Sequence, residues 1–255
     1  MEWIKDYKEK KVITDAGIFF GKGIFETIPV FKEPVMLSEH IGRLNNALKT
    51  FSINKGVDLQ EITDIIKEDN IEYKSLKITV TPENRVISLR DLPYREEHYQ
   101  KGYSLGISKV IKNSTSILAG IKSTCYWENI LIREAGAKHG FDEMIQFNEK
   151  GHLAEGTCSN IFFVKDGVVY TPEISCGLLN GVMRKWIVSN FQVREGCFSE
   201  GDLLSADEVF ITNSLMGIMW VNKIQSKKYV KGAETDDIIE KYNLFLGTYG
   251  GKIHG

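Results

Sequence analysis

The 255-residue chain has little that would tie it to a membrane, a nucleic acid or an oxidising compartment. No run of about eighteen apolar residues occurs, so the length a helix needs to span a bilayer is missing. The first residues, MEWIKDYKEKK, are polar and lack the apolar stretch of a secretory signal, which leads to the expectation of a cytoplasmic protein without a membrane partner. Charge of one sign is scarce too. The net charge is −2, from 32 Lys and Arg against 34 Asp and Glu, and no basic run exceeds a few residues, so the footprint of a nucleic-acid binder is lacking. Cys125, Cys158, Cys176 and Cys197 form no CxxC pair and the five histidines are equally dispersed, a spacing that argues against a disulfide framework or a metal site. The expected partners are small molecules.

What is present is an ordinary globular composition, 42% hydrophobic and 26% charged, enough for one large domain or two small ones. LSEHIGRLNNALKTF reads as a helix opened by Ser38, with Ile41, Leu44, Leu48 and Phe51 on one face and Arg43 beside it. Leu76/Ile78/Val80, then RVISL, then GYSLGIS alternate as antiparallel strands do when covered on one side. The pattern is α+β. At Asn113 to Ser116 it breaks into NSTS, linker-like in composition, and the expected division is a small N-terminal α+β domain over 1–115 and a larger C-terminal domain over 116–255. Beyond the break, Trp127, Ile130, Leu131 and Ala135 give a helical stripe that ends at His139-Gly140, where glycine suits a helix C-terminus.

One residue stands out in the second half. GHLAEGTCSNIFFVKDG, Gly151 to Gly167, lies among apolar strand-like runs, yet carries Glu155 followed at once by Gly, Thr, Cys, Ser and Asn. A buried unpaired carboxylate is costly, so Glu155 either faces water or meets a positive partner. Lys122 ends a short apolar segment just before a helix. Further on, Asn180-Gly181 leads into a helix whose first amides, those of Val182 and Met183, are free to hold a phosphate. After the strand EVFIT, Asn213-Ser214-Leu215-Met216-Gly217 offers a second turn of hydroxyl, amide and backbone donors.

Pyridoxal 5'-phosphate would use all of these, because it presents an aldehyde to a lysine, a pyridine nitrogen to a carboxylate and a phosphate to helix amides, hydroxyls and an arginine. Lys122 is then the Schiff-base candidate and Glu155 the pyridinium partner; Arg43, Val182, Met183 and Ser214 take the phosphate. Taken singly, each has a plainer reading: a lysine is usually solvated, a strand glutamate usually faces water, and Asn-Gly or Ser alone is turn chemistry.

Several motifs in order along the chain resemble the class IV aminotransferase family, the fold-type IV pyridoxal-phosphate enzymes that include branched-chain and D-amino acid aminotransferases and 4-amino-4-deoxychorismate lyases. They are DAGIFFGKGIFET (Asp15 to Thr27), HIGRL (His40 to Leu44), IKSTCYWENILIREA (Ile121 to Ala135), EGTCSNIFF (Glu155 to Phe163), GLLNGVMR (Gly177 to Arg184) and ITNSLMGI (Ile211 to Ile218). The resemblance implies a D-amino acid aminotransferase-like fold. In it a small N-terminal domain accompanies a larger C-terminal pseudo-barrel domain, the cofactor lies between them, and the chain pairs as a homodimer. It implies the same roles for Lys122, Glu155, Arg43, Val182, Met183 and Ser214, and adds Leu179 as an apolar residue against the cofactor ring. Phe25, Arg85 and Asn213 are the expected substrate contacts, with Arg90 and Arg95 as further carboxylate-binding candidates in the segment TPENRVISLRDLPYREEHY, which replaces the family's Arg/Gly-rich loop.

Departures from the pattern bear on the reaction. NGVMR replaces the Pro-Gly-Ile-Thr-Arg of branched-chain enzymes, and Trp127 takes the place where those enzymes often carry tyrosine. NGVMR and TNSLMG together resemble aminodeoxychorismate lyases, so the expected reaction releases p-aminobenzoate and pyruvate, a step of folate biosynthesis. The alternative is amino transfer from branched-chain or D-amino acids to 2-oxoglutarate. A nicotinamide enzyme is disfavoured, because Gly21-Lys22-Gly23 lacks the third glycine and the acidic residue of a dinucleotide fingerprint.

Overall fold

Leu76, Ile78 and Val80 line the middle of a four-stranded sheet in the computed structural model, which describes residues 3–8 and 11–252. The chain divides into two units, the first comprising Met1–Pro93, Ile121–Tyr126 and Leu246–Gly251. Its elements are β1 (Ile4–Lys5), α1 (Ala16–Phe20), β2 (Ile24–Val30), α2 (Leu37–Thr50), α3 (Leu59–Glu68), β3 (Lys74–Val80) and β4 (Arg85–Asp91). The strand order is β1-β4-β3-β2, antiparallel except for β1 against β4. Alternation sends Ile24, Ile28, Leu76, Ile78 and Ile87 to one face, where Ile41, Leu44 and Leu48 of α2 and Ile62, Ile65 and Ile66 of α3 cover them. Each such side chain contributes about 1.5–3 kcal/mol on burial.

Helix α2 starts one residue earlier than the expected opening at Ser38. A tight return after β2, with Val35 N–H bonded to Pro29 O, delivers the chain to Met36 at φ 48°, and α2 begins directly after it. Ser38 therefore lies in the first turn and does not cap it. The segment 121–126 is stitched to the start of β2: Phe25 N–H donates to Lys122 O at 2.9 Å, Thr124 N–H to Gly23 O at 2.8 Å, and Ser123 bridges Ile24.

The second unit comprises Tyr94–Gly120, Trp127–Phe245 and Lys252–Gly255. It contains α4 (Glu96–Lys101), β5 (Tyr103–Ile107), α5 (Trp127–Lys138), β6 (Glu143–Phe147), β7 (Leu153–Gly156), β8 (Asn160–Lys165), β9 (Val168–Pro172), α6 (Val182–Asn190), β10 (Val193–Gly196), α7 (Glu200–Leu204), β11 (Glu208–Asn213), β12 (Gly217–Ile224), β13 (Lys227–Lys228) and all but the last two residues of α8 (Ala233–Gly247). Nine strands form one sheet, in the order β10-β9-β8-β11-β12-β5-β6-β7, with β13 on β12.

Two expectations are corrected here. GYSLGIS is strand β5, but it runs parallel to β12 and β6 and pairs with neither β3 nor β4. Its residues Tyr103 to Gly106 are buried, as in a strand covered on both sides. That pairing draws Tyr94–Gly120 into the second unit. Helix α5 forms as expected, but its inner face is Ile132 and Gly136, while Trp127 is 67% and Leu131 46% exposed. The thioether of Met144 on β6 sits where a Cβ on Gly136 would be, which fixes that face. Among the described residues, no helix is long and apolar enough to cross a membrane.

Candidate active site

Glu26 is fully buried on the helix-covered face of β2, where a bare carboxylate would cost several kcal/mol. Residues 40 and 43, one turn apart on α2, face it together. Arg43 grips it with a fork, Nε to Oε1 at 2.7 Å and Nη2 to Oε2 at 2.8 Å, and His40 Nδ1 lies 2.7 Å from Oε2. Burial alone would raise the Glu26 carboxyl, but the Arg43 charge and the His40 hydrogen bond outweigh it and hold the group at about 2. Burial pushes His40 below its ordinary 6.5, so at neutral pH it is an uncharged imidazole that donates Nδ1–H to Glu26. The HIGRL motif thus fixes the Arg43 guanidinium through Glu26.

Phe25, on the opposite face of β2, is buried. Lys122 Nζ lies 4.6 Å from the centre of its ring and 5.9 Å from that of Tyr126, and the two rings meet edge to face at 5.6 Å. The lysine amine therefore stands against an aromatic wall. A second lysine shares it: Lys77, opposite Thr27 in the β2–β3 register, has Nζ 4.4 Å from the Phe25 ring. Burial, with the charge of Arg90 behind it, pushes the Lys77 ammonium below its ordinary 10.5.

In the second unit the flanking strands answer the question that Glu155 raises. The carboxylate is buried on β7, and its positive partner is Lys112, whose Nζ lies 2.6 Å from Oε1; Leu179 N–H donates to Oε2 at 2.9 Å. The unusual run that follows has its own acceptor, Glu143. Its carboxylate takes hydrogen bonds from Thr157 N–H and Oγ1, Cys158 N–H and Ser159 Oγ, which shapes the turn between β7 and β8.

Helix α6 starts at Val182 with Gly181 as N-cap and no side chain capping it, and the first N–H bonded back is that of Lys185, to Gly181 O. The Val182 and Met183 amides are thus at an uncapped helix N-terminus, where an anion is stabilised. A Cβ on Gly181 would overlap Asn160 Oδ1, and Asn160 Nδ2 in turn holds Leu179 O at 2.7 Å, so this turn is pressed close to β8. In the turn between β11 and β12, Asn213 Oδ1 accepts from Leu215 and Met216 N–H at 3.0 and 2.8 Å, while its Nδ2 donates to Tyr94 Oη and Cys158 O. Ser214, half-exposed, stands at the tip.

These residues fit pyridoxal 5'-phosphate. The donor set offers an amine on an aromatic wall, a charge-held carboxylate, a pre-aimed guanidinium and an uncapped helix. Gln146, directly opposite Glu155 in the β6–β7 register and hence on the same face, also keeps its Oε1 buried without a partner.

The first unit brings together Lys122, Phe25 and the start of β2, and the Lys122 charge also reaches His40 of the Glu26–Arg43 cluster. Glu155, Leu179, Val182 and Met183 come together in the second unit. Two expected substrate contacts are otherwise engaged. Arg85 faces the helix side of the sheet, where it pairs with Glu61 and lies 4.1 Å from the Trp3 ring, because its parity on β4 matches Ile87 and not the Phe25 face. Arg90, opposite Ser75, has the parity of the Phe25 face. Asn213 spends its Oδ1 on its own turn and its Nδ2 on Tyr94 Oη and Cys158 O. Glu26, His40, Lys77, Lys112 and Glu143 carry no expected role; period-two alternation along β2 separates Glu26 from Phe25 and could have found it, whereas Lys77 depends on the β2–β3 register.

Comparison with known proteins agrees. The amino-transferase class IV family model matches residues 23–224. The aminodeoxychorismate lyase of Bacillus subtilis is 29% identical, the match covering 84% of this chain and 82% of that protein. The D-alanine aminotransferase of Staphylococcus epidermidis is 27% identical over 91% of this chain and 89% of that protein. The solved branched-chain amino acid aminotransferase of Escherichia coli, 21% identical, superposes with a TM-score of 0.83 over 96% of this chain and 91% of that one. The chain therefore belongs to the class IV aminotransferase family, pyridoxal-phosphate-dependent enzymes of fold type IV.

Proposed function

We propose that the protein is an aminodeoxychorismate lyase that uses Lys122 and pyridoxal 5'-phosphate to turn 4-amino-4-deoxychorismate into p-aminobenzoate and pyruvate. The observation that carries this reading is the make-up of the two turns. Helix α6 opens on Asn180-Gly181-Val182-Met183 with backbone amides and no hydroxyl, and Asn213 closes the Ser214 turn. The similarity to the B. subtilis lyase supports the reading.

When bound, the cofactor supplies an electrophilic carbon and a conjugated ring that takes up charge. Arg43, oriented by Glu26, the Val182 and Met183 amides and the Ser214 hydroxyl are the groups that would hold the phosphate. Glu155, kept in place by Lys112, would hold a proton on the pyridine nitrogen, and Leu179 would lie against the ring. Lys122 Nζ removes the proton from the amino-bearing ring carbon of the substrate. The C–O bond to the enolpyruvyl group then breaks, the six-membered ring becomes aromatic, and the leaving fragment takes a proton to become pyruvate. Phe25 and Tyr126 form an aromatic wall beside the amine.

The test is direct. Incubation with aminodeoxychorismate is expected to yield p-aminobenzoate and pyruvate in equal amounts. Glutamate formed from 2-oxoglutarate with leucine or D-alanine, without p-aminobenzoate from aminodeoxychorismate, would establish the aminotransferase instead.

The enzyme is also proposed to be a homodimer. Helix α1 buries none of its residues and leaves Phe19 67% and Phe20 80% exposed, while α5 turns Trp127 outward. Exposed aromatic groups on short elements are the kind of surface a second copy covers. Phe20→Asp is expected to shift the light-scattering mass toward one chain; a monomeric wild type refutes the assembly.

A further inference from the structure

Three side chains far apart in sequence meet at one edge of the second unit, away from every role given above. Strands β9 and β10 run parallel with Pro172 paired to Gly196, so the chain leaves both on the same side. Glu173 N–H bonds to Gly196 O, and Cys176 follows in the short 3-10 turn Ile174–Cys176, with Cys197 directly after β10. The β6–β7 turn is tied to the same place twice: Leu153 N–H donates to Phe198 O at 2.7 Å, and Asn148 Nδ2 to Cys176 O at 3.2 Å. His152 is thereby set beside the two cysteines.

The ligand atoms of His152, Cys176 and Cys197 all lie within 4.8 Å of one another. The two sulfurs are 3.6 Å apart, and Glu173 Oε1 is 3.5 Å from Cys197 Sγ. Two thiolates on a tetrahedral zinc ion at about 2.3 Å each stand about 3.8 Å apart, close to the separation found here. Both thiols are free, and the three residues grade from buried Cys176 through His152 to exposed Cys197, which leaves a path for an ion.

We infer that His152, Cys176 and Cys197 form a site for a zinc-type divalent cation, which Glu173, held by Ser175 Oγ with its Oε1 3.5 Å from Cys197 Sγ, completes as the tetrahedral fourth ligand by turning toward the ion. Two thiolates and an imidazole select a borderline-soft metal over magnesium or calcium, and binding releases the two thiol protons. With all four positions taken by protein the site is structural. It would pin the loop from Cys176 to Gly181, the same loop that presents Leu179 N–H to Glu155.

The test titrates the purified holoenzyme, under a phosphine reductant in phosphate-free buffer, with CoCl2 and then ZnCl2. Wild type is expected to bind one cobalt per chain with thiolate-to-metal charge-transfer bands and intense tetrahedral d–d bands, which zinc abolishes by displacement. Cys197→Ser, at an exposed position, and His152→Ala are expected to bind about 100-fold more weakly or worse, and Cys197→Ser to lose part of the charge-transfer intensity. Cys125→Ser, in the other unit, is expected to behave as wild type. Zinc should raise the melting temperature of wild type and not of Cys197→Ser. Absence of thiolate bands, or bands unchanged in Cys197→Ser, overturns the site. So does a Cys176–Cys197 disulfide in the protein as isolated, if metal uptake stays absent after reduction.

Discussion

Lys112 Nζ lies 2.6 Å from Glu155 Oε1, and both residues are largely buried. Removing one member of such a pair strands a charge, and the cost is commonly about 3–5 kcal/mol. Lys112→Met is therefore expected to lower the urea stability of the cofactor-free protein by that order, and Glu155→Gln by less. The double variant should recover much of the loss. Independent, additive losses in a double-mutant cycle would show that the pair is incidental.

The same carboxylate is assigned a chemical task. A neutral amide cannot hold the pyridine nitrogen protonated as a carboxylate does, while the phosphate contacts are untouched by the change. Glu155→Gln is expected to slow single-turnover product formation by about 100-fold or more, the usual scale for a lost electrostatic partner, with the cofactor still bound. Near-normal rates with cofactor fully loaded would reduce Glu155 to a structural strand residue.

Lys122 and Lys77 both approach the Phe25 ring, at 4.6 and 4.4 Å, so geometry at that ring does not choose between them. The KSTCYWEN motif does. Borohydride reduction and peptide mapping should place the pyridoxyl group on Lys122, and Lys122→Ala should abolish turnover while Lys77→Met retains the label. A label on Lys77 would move the centre of the chemistry to β3.

Much of this was legible because it is local. Alternation gave β3 and β4, an Asn-Gly before an apolar periodic run gave the start of α6, and Glu155 announced itself as a charge among apolar strands. Partnerships across long separations were not legible. Lys112 meets Glu155, and Cys176 meets Cys197, only because strands distant in sequence are paired, and no local spacing encodes that. The parallel pairing of β5 was hidden for the same reason: GYSLGIS reads identically in either orientation. The stripe on α5 misled, since apolar spacing marks a face but not whether this chain or a second copy covers it.

His40 and Glu26 give the fold an acid-side weakness. The folded His40 has its pKa below the ordinary 6.5, so the unfolded chain takes up that proton first and stability falls as pH drops below 6.5. The folded Glu26 titrates at about 2 against an ordinary 4.5, so its contribution is present above 4.5 and is lost between 4.5 and 2. Unfolding free energies from urea titrations between pH 7.5 and 5 should decline, by at most about 1.4 kcal/mol per pH unit for this one proton. His40→Gln keeps a donor toward Glu26 and should flatten the decline; an unchanged slope would mean that other groups carry it.

Gly181 offers a change of a single methyl group. Its φ of −60° suits any residue, so backbone strain plays no part in replacing it with alanine. The new Cβ would nevertheless overlap Asn160 Oδ1. Asn160 must then give way, and with it the 2.7 Å bond from Nδ2 to Leu179 O. That bond and the Leu179 N–H to Glu155 bond at 2.9 Å hold the two sides of one peptide-bearing residue, so the shift travels to the carboxylate as well as to the first amides of α6. Gly181→Ala is expected to weaken pyridoxal 5'-phosphate binding about 10-fold or more, read by equilibrium dialysis, with a smaller loss of stability in the cofactor-free protein, since overpacking typically costs about 1–3 kcal/mol. The companion variant Asn160→Gly in the Gly181→Ala background removes the obstruction and should restore part of the affinity. If Gly181→Ala binds the cofactor as wild type does, the start of α6 is not the phosphate cup.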